Sequence, residues 1–238
     1  DSFLFRNPVF IKYGFHSANI IPDLCESYHS KKILFITGKH VLSSEAFLNL
    51  KSLLNKSGFN FDIFSNVPTE PTISMVNEAS DYLKASRCDT LIAIGGGSVL
   101  DTAKAMAMLA VNPGSAEDYM FGGNGIIKNP SLPLICIPTT AGSGSEVTAS
   151  SVILHEQRNV KLSITHDNLF PKYAIIDPFF QISMPHSVTI STGMDAMTHA
   201  IEAYTSNKGN LISDMYSMTA ISMIAKNIKI VCSEPENI

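Results

Sequence analysis

The sequence has no run of basic residues and no long apolar stretch, and each absence excludes a class of partner. It contains 17 Lys and Arg and 21 Asp and Glu, which give a net charge of −4 over 238 residues. A chain of this charge has no electrostatic attraction to a nucleic acid or to an anionic membrane. No stretch approaches the roughly 20 apolar residues of a membrane-spanning helix. We therefore expect neither kind of partner.

The four cysteines are too dispersed to indicate a metal-binding pair or a disulfide framework. No C-x-x-C spacing occurs, and scattered cysteines are typical of a reducing compartment. The first residues, DSFLFRNP, contain neither an initiator methionine nor the basic start of a secretory signal. We therefore expect a cytoplasmic protein with a few residues missing at the start.

Short apolar runs alternate with amphipathic stretches as far as about residue 180. The runs contain few polar residues, which is typical of strands buried on both faces of a parallel sheet. They are KILFIT (32–37), FDIFSN (61–66), TLIAIGG (90–96), LPLICIPT (132–139) and YAIIDP (173–178). Helices are predicted at 44–58, 72–86 and 98–111, the first ending at Gly58, where a C′ glycine belongs. VFIKYG (9–14) is predicted to be a further strand outside this alternation.

This alternation predicts a Rossmann-like, doubly wound α/β domain with a parallel sheet over residues 1–184. With 45% hydrophobic and 16% charged residues, the chain can bury such a core. From about residue 186 the pattern is helical throughout. We predict that residues 185–238 form the first part of an all-helical domain.

Asp195 and His199 lie four residues apart within the first of these helical stretches. Four residues turn through about 400° of α-helix, so both side chains lie on one face and can reach one ion. A carboxylate and an imidazole make half of a divalent-metal site. Taken alone, such a pair also occurs by chance on a solvated helix face.

Two glycine-rich loops follow predicted strands, where sheets of this type bind nucleotides. In IGGGSVLDTAK (94–104) the glycines allow a phosphate to approach, and Ser98 with the first N–H groups of the helix can bind an anion. A glycine turn here also arises for packing reasons alone. The loop IPTTAGSGSEVT (137–148) gathers hydroxyl groups that could bind a ribose or a nicotinamide amide, or could form an ordinary polar loop. They belong to Thr139, Thr140, Ser143, Ser145 and Thr148.

GGGSVLDTAK (95–104), PTTAGSGSEVTASS (138–151) and AIIDPFFQISMPHSVTISTGMDAMTHAIEAYTS (174–206), in this order and spacing, closely resemble the iron-containing (group III) alcohol dehydrogenases. The resemblance runs from the first strand to the last residue. It implies an N-terminal domain that binds NAD(P) and a helical domain that holds a divalent metal, with the active site in the cleft between them. The third motif carries the family's defining residues Asp177, Pro185, Thr192, Asp195 and Glu202.

The resemblance also implies roles for individual residues. Asp195 and His199 match the first two of four metal ligands and are the expected catalytic pair, with Fe²⁺ as the first choice and Zn²⁺ or Mn²⁺ as alternatives. Lys161 is similar to a lysine near the nicotinamide ribose, although a solvated loop lysine is the alternative. The remaining cofactor-binding residues implied are Gly95, Gly96, Gly97, Ser98, Asp101, Thr139, Thr140, Ser143 and Thr148.

The other two ligands of the family are histidines further along its helical domain, and this sequence does not supply them. We expect His186, at the domain junction, and His155 and His166, in loops before it, to be structural or surface residues. The sequence therefore resembles a family member truncated within the helical domain. Two ligands hold a metal far more weakly than four.

Three hypotheses about function remain. The first is a metal-dependent dehydrogenase that passes hydride between NAD(P)(H) and an alcohol, aldehyde or ketone, with the metal as Lewis acid. The second is a glycerol-dehydrogenase-like or dehydroquinate-synthase-like enzyme of the wider superfamily, and the third is a non-catalytic nucleotide-binding fragment. SEVT and MDAMTHAIE favour the first. We expect a small-molecule substrate and a homodimer or higher homo-oligomer.

The loop after KILFIT bears on the choice between NADP and NAD. An acidic residue there typically binds the ribose 2′-OH of NAD and repels a 2′-phosphate. Here the loop reads Thr37, Gly38 and Lys39, with glycine where NAD-specific relatives carry aspartate. Lys39 could pair with the phosphate as a point charge, or it could be solvated beside a simple turn glycine. We predict that NADP is accepted and preferred.

Overall fold

The computed structural model describes residues 2–234. Eight strands and six α-helices follow one another along this part of the chain. The strands are β1 (Phe10–Tyr13), β2 (Lys32–Thr37), β3 (Asn60–Phe64), β4 (Thr90–Gly95), β5 (Leu134–Pro138), β6 (Ser150–His155), β7 (Val160–Thr165) and β8 (Tyr173–Ile176). The helices are α1 (Ile21–Ser27), α2 (Glu45–Lys56), α3 (Ile73–Ser86), α4 (Gly97–Leu109), α5 (His186–Thr205) and α6 (Leu211–Ser233).

Six strands form one parallel sheet in the order β1-β8-β5-β4-β2-β3. The predicted α/β fold with a parallel sheet is therefore confirmed. The chain moves outward from β2 to β3 and then returns to β4 on the other side of β2, so the strand order reverses between β2 and β4. The extra strand predicted at 9–14 is β1, which lies at the edge of the same sheet and is exposed along its whole length.

Successive residues of the inner strands point to opposite faces, and both faces are covered. Phe35 of β2 and Ile92 of β4 pack with α1 and α2 on one face, while Leu34 and Ala93 pack with α3 and α4 on the other. Each of these four residues has no exposed surface. Burial on both faces explains why these strands read as unbroken apolar runs.

Two elements of the fold are not predicted from the sequence, the antiparallel hairpin formed by β6 and β7 and the short helix α1. His155 and His166 are expected in loops, but Ser150 to His155 pair in register with Val160 to Thr165. Only one face of this hairpin is buried: Ile153 and Ile164 pack on the outer sides of α3 and α4. A half-buried strand with serines along it lacks the continuous apolar run on which the prediction relies.

The predicted end of α2 is confirmed in detail. Ser57 caps the helix, and Gly58 follows with a positive φ of 80°. The Gly58 N–H donates to the Asn55 carbonyl and the Phe59 N–H to the Leu54 carbonyl, each at 3.0 Å. These two bonds define a Schellman motif, which requires the left-handed conformation that glycine adopts without strain.

The described chain divides into two compact units. The α/β unit comprises Pro8–Thr139 and Ser145–Gln181, and the helical unit comprises residues 2–7, Thr140–Gly144 and the chain from Ile182. In the helical unit α5 packs against α6, and Gly193 lies where an added Cβ would come 2.8 Å from Cδ1 of Ile228. Among residues 2–234, no helix is both long and apolar enough to cross a membrane.

Candidate functional site

The predicted cofactor loops of the α/β unit leave the sheet at one edge. β2, β4 and β5 are neighbours and run parallel, so Gly38, Gly96 and Thr139 all follow carboxyl ends on the same side of the sheet. The Thr139 N–H donates to the Gly95 carbonyl at 3.0 Å, which joins two of the loops directly. The crevice between β2 and β4, where the strand order reverses, is the usual place for a nucleotide in such a sheet.

The first glycine loop opens α4 with unused hydrogen-bond donors. Gly96 is the N-cap residue in an extended conformation, and within the described chain no side chain caps this end. The first N–H groups of the helix are therefore available to an anion, with the helix dipole behind them. Packing also favours glycine at position 95, because an added Cβ would lie 2.6 Å from Cβ of Val99.

Ser98 and Lys161 are connected through the segment before α3. The Ser98 hydroxyl donates to the carbonyl of Thr69. The next residue, Glu70, forms an ion pair with Lys161, in which 2.8 Å separates Oε1 of Glu70 from Nζ of Lys161. Lys161 lies on β7 and not on the loop that the sequence indicates, and its side chain is 60% exposed. The fold therefore places this lysine near the first glycine loop although 63 residues separate it from Ser98.

The loop after β2 combines one buried residue with two accessible ones. Thr37 is fully buried, and its hydroxyl donates to the Ile94 carbonyl at 2.8 Å, which holds the ends of β2 and β4 together. Gly38 has an extended backbone, and a Cβ added at this position would have no atom within 4 Å. Lys39 is exposed and makes no ion pair within residues 2–234.

Asp101 is 9% exposed and binds groups of the protein itself. One carboxylate oxygen accepts from the Ser145 hydroxyl at 2.5 Å and the other from the Val152 N–H at 3.0 Å. The carbonyl of Asp101 also accepts from the Ser151 hydroxyl at 2.7 Å. α4 is thereby bound to the end of the hydroxyl-rich loop and to β6.

Lys104, which is not predicted as a site residue from the sequence, completes this polar cluster. Its side chain is fully buried, and Nζ donates to Oγ1 of Thr148 at 3.0 Å and to the Ser150 carbonyl at 2.8 Å. Burial lowers the pKa of Lys104 and raises the pKa of Asp101. The attraction between the two charged groups, which lie 3.7 Å apart, opposes both shifts. The sequence signal for this cluster is a lysine three residues after an aspartate, in a helix whose other residues are mostly small or apolar.

The candidate metal ligands belong to the helical unit. Asp195 and His199 lie on α5 with 3.9 Å between Oδ1 and Nε2, and their side chains are about half exposed. Gly142 approaches Asp195 closely, because an added Cβ would lie 3.0 Å from Oδ2 of Asp195 and 2.9 Å from the Thr192 carbonyl. The hydroxyl-loop residues Thr140–Gly144, which include Ser143, belong to this unit.

The pair is a suitable but partial donor set for a divalent cation. A carboxylate oxygen and an imidazole nitrogen suit iron, zinc and manganese. Within residues 2–234, no three His, Cys, Asp or Glu side chains group as a metal site would require. The observed pair therefore matches two ligands of a site that needs further donors.

Two family models match this chain, and together they cover almost all of it. The model described as iron-containing alcohol dehydrogenase matches residues 8–178. The model of the C-terminal part of the Fe-containing alcohol dehydrogenase family matches residues 189–238. The chain belongs to the iron-containing alcohol dehydrogenase family.

Individual relatives agree with this assignment. Alcohol dehydrogenase 4 of Schizosaccharomyces pombe is 36% identical over 201 residues, which are 84% of this chain and 47% of that protein. An NAD-dependent methanol dehydrogenase of Bacillus methanolicus is 36% identical over 195 residues, or 82% of this chain and 51% of the relative. The chain thus spans about half the length of these relatives.

One solved structure superposes on the whole chain. It is a sulfoacetaldehyde reductase from Bifidobacterium kashiwanohense in complex with NAD⁺. The TM-score is 0.91 at 31% identity, with 100% of this chain and 62% of the other covered. The α/β sheet and the helices α5 and α6 of this chain are therefore shared with that structure.

The three histidines that are expected to be structural or surface residues each have a partner within the protein, although one lies in an unexpected element. His155, expected in a loop, ends strand β6, where it is 3% exposed with Nε2 3.2 Å from Oε1 of Glu117. His166 caps a short 3₁₀ helix by accepting from the Asn168 N–H. His186 is the first residue of α5, and its Nε2 lies 2.9 Å from the Val231 carbonyl oxygen of α6.

The family signature residue Asp177 also has a structural explanation in the α/β unit. It follows β8 and is 1% exposed. Its carboxylate accepts from the backbone N–H groups of His16, Ala18 and Phe179 at 3.0–3.1 Å. These bonds attach the turn after β1 to the turn after β8, so this part of the signature serves the fold.

Proposed function

We propose that this chain provides the dinucleotide-binding part and part of the metal site of an NAD(P)-dependent alcohol dehydrogenase. The observation that carries the proposal is the meeting of three candidate loops at the carboxyl ends of β2, β4 and β5, with an uncapped helix start among them. The named relatives support the reaction class, since they are dehydrogenases and a reductase. The substrate class is a small alcohol or the corresponding aldehyde or ketone.

The residues of the α/β unit would hold the cofactor. The N–H groups at the start of α4, at Gly97 and Ser98, would bind the pyrophosphate, and the missing side chains of Gly96 and Gly97 would admit it. Thr139 and Thr148 would offer hydroxyl groups to the parts of the dinucleotide other than the pyrophosphate. The bound dinucleotide supplies the hydride chemistry, so the task of these residues is orientation.

In the helical unit Asp195 and His199 would hold a divalent cation. When bound, the cation polarises the substrate's oxygen as a Lewis acid. Asp195 would contribute a carboxylate oxygen, and His199 an imidazole nitrogen from the next turn of α5. The described residues offer no separate side chain that we can assign as a general base.

We further propose that NADP is preferred over NAD. The support is the space around Gly38 and the exposed Lys39 beside it. A carboxylate at position 38 would repel the 2′-phosphate and accept a bond from a 2′-hydroxyl, and glycine does neither. Lys39 can attract the phosphate as a point charge.

Replacement of Gly97 tests cofactor binding. Gly97→Val places a branched side chain where the pyrophosphate needs room, so NADH and NADPH should bind at least about a hundredfold more weakly. Ala85→Val, which adds similar bulk at an exposed position of α3, should bind as the unmodified protein does. Fluorescence titration of both reduced cofactors measures the effect. The proposal is wrong if neither cofactor binds the unmodified protein at millimolar concentration.

Two replacements of Gly38 test the choice of cofactor. Gly38→Asp should weaken NADPH binding about tenfold or more through charge repulsion, while NADH binding is kept or improved. Gly38→Asn has nearly the same shape and no charge, so it should lose much less NADPH affinity. If the unmodified protein binds NADH at least about tenfold more tightly than NADPH, the proposed preference is wrong.

A further inference from the structure

The buried Lys104 lies behind an exposed residue of the candidate cofactor surface. Its Nζ contacts Oγ1 of Thr148 at 3.0 Å and the Ser150 carbonyl at 2.8 Å. Lys104 has no exposed surface, whereas Thr148 is exposed. A charged side chain seldom occupies a fully buried place unless its hydrogen bonds are satisfied, and here two oxygens and the nearby Asp101 satisfy it.

The chemistry of this contact fixes the direction of the Thr148 hydroxyl. An ammonium group has three hydrogens and no lone pair, so it can only donate. Thr148 Oγ1 must therefore accept from Lys104, which leaves its own proton to point elsewhere. The Thr148 hydroxyl donates to the Ser145 carbonyl at 3.4 Å, a distance at the long limit for a hydrogen bond. An oxygen of a ligand could take this proton at a shorter distance.

We propose that Lys104 is a positioning residue that presents the Thr148 hydroxyl as a hydrogen-bond donor to an oxygen atom of the bound dinucleotide. The inference rests on the proposed function, because it assumes that the dinucleotide lies at this surface. It assigns Lys104 no contact with the cofactor. Its effect on binding passes through Thr148.

Asp101 supports the same arrangement from the other side. Its carboxylate fixes Ser145, three residues before Thr148, and the Val152 N–H, four residues after it. The segment that carries Thr148 is thus bound to α4 at both ends and in the middle. Because α4 begins with the pyrophosphate loop, the two loops form one surface before the ligand arrives, which reduces the entropy lost on binding.

A double-mutant cycle on NADPH and NADH binding tests the inference. Thr148→Val, which removes the hydroxyl, should weaken binding about tenfold, and Thr148→Ser, which keeps it, should bind within about twofold of the unmodified protein. Lys104→Met should weaken binding by a similar factor, since the hydroxyl loses its orientation. In the Thr148→Val background, Lys104→Met should add less than about twofold. A residue that only supports the fold would give independent, multiplicative losses.

Controls separate this effect from a loss of folding. Lys84→Met removes an exposed lysine of α3 and should leave the dissociation constant unchanged. If Lys104→Met does not fold, Lys104→Gln, which keeps a donor in the cavity, takes its place in the cycle. Unchanged affinity of Thr148→Val, or multiplicative losses in the cycle, would overturn the inference alone. Absence of any cofactor binding by the unmodified protein would overturn the proposed function and this inference together.

Discussion

The two units of the chain bury their apolar residues to very different degrees. In the α/β unit every residue of β4 and β5 is buried, and so is each residue of α4 from Val99 to Leu109. In the helical unit Ala200 is the only buried residue among the 20 of α5, and Ser217 the only one among the 23 of α6. The α/β unit therefore has a hydrophobic core of its own, whereas the pair of helices has almost none.

This difference separates two parts of the proposed function. Apart from Thr140–Gly144, the candidate cofactor loops lie on the unit with its own core, so their geometry is set by the strands and by the polar cluster around Lys104. The Asp195 and His199 pair lies on a helix with many exposed apolar neighbours, among them Met194 and Ile201. Two metal ligands on such a helix need further protein packed against it to be held firmly.

Hydrogen exchange gives the largest expected contrast. Amides of β4 and β5 should exchange only with global unfolding of the α/β unit, while those in the middle of α5 and α6 should exchange through local opening. We expect rates that differ by about 1,000-fold, equivalent to about 4 kcal/mol. Mass spectrometry of peptides from the two units measures this. Equal protection in both units would contradict the comparison.

A matched pair of leucine substitutions sharpens the same comparison. Leu91 of β4 has no exposed surface, whereas Leu211 at the start of α6 is 78% exposed. Leu91→Ala leaves a cavity and should lower the free energy of unfolding by about 2–5 kcal/mol. Leu211→Ala should change it by less than about 0.5 kcal/mol. Urea denaturation followed by circular dichroism measures both, and a similar loss for the two variants would argue against a separate core.

The same difference in burial explains which elements can be predicted from the sequence. β2, β4 and β5 are buried on both faces, so each is a continuous apolar run with an unambiguous pattern. Gly58 marks the end of α2 because the helix stop has a chemical requirement that only a few residues meet. By contrast, β6 and β7 are half-buried, and their serines and charged residues resemble loop sequence.

The polar cluster behind the second loop cannot be predicted because its partners are distant in sequence. Asp101 and Ser145 are separated by 44 positions, as are Lys104 and Thr148. Local pattern identifies a candidate residue type, but only the packing of the hairpin on α4 decides which donor meets which acceptor. The Asp195 and His199 pair is accessible to prediction because four positions on one helix fix their separation.

Removal of a candidate metal ligand should affect the helical unit alone. Asp195→Ala or His199→Ala should weaken binding of Mn²⁺ or Zn²⁺ at least about tenfold, because one of the few donors is lost. NADPH binding should stay within about twofold, since the candidate cofactor residues other than Thr140 and Ser143 belong to the α/β unit. Asp81→Ala, an exposed carboxylate of α3, is the matched control. Calorimetric titration measures both ligands, and unchanged metal affinity in both variants would remove the pair from the site.

The smallest expected effect concerns the pH dependence of the α/β unit's stability. Burial raises the pKa of Glu146, so its contribution to stability is fully present in acid and is lost as pH rises through the raised pKa. Glu146→Gln should therefore raise the melting temperature at pH 7 by about 2 °C, and the gain should vanish below pH 4.5, the ordinary pKa. Glu156 is the opposite case, because a hydrogen bond from Ser74 lowers its pKa. Glu156→Gln should lower the melting temperature at pH 7, and a shift of the same sign for both variants in calorimetric scans would refute this account.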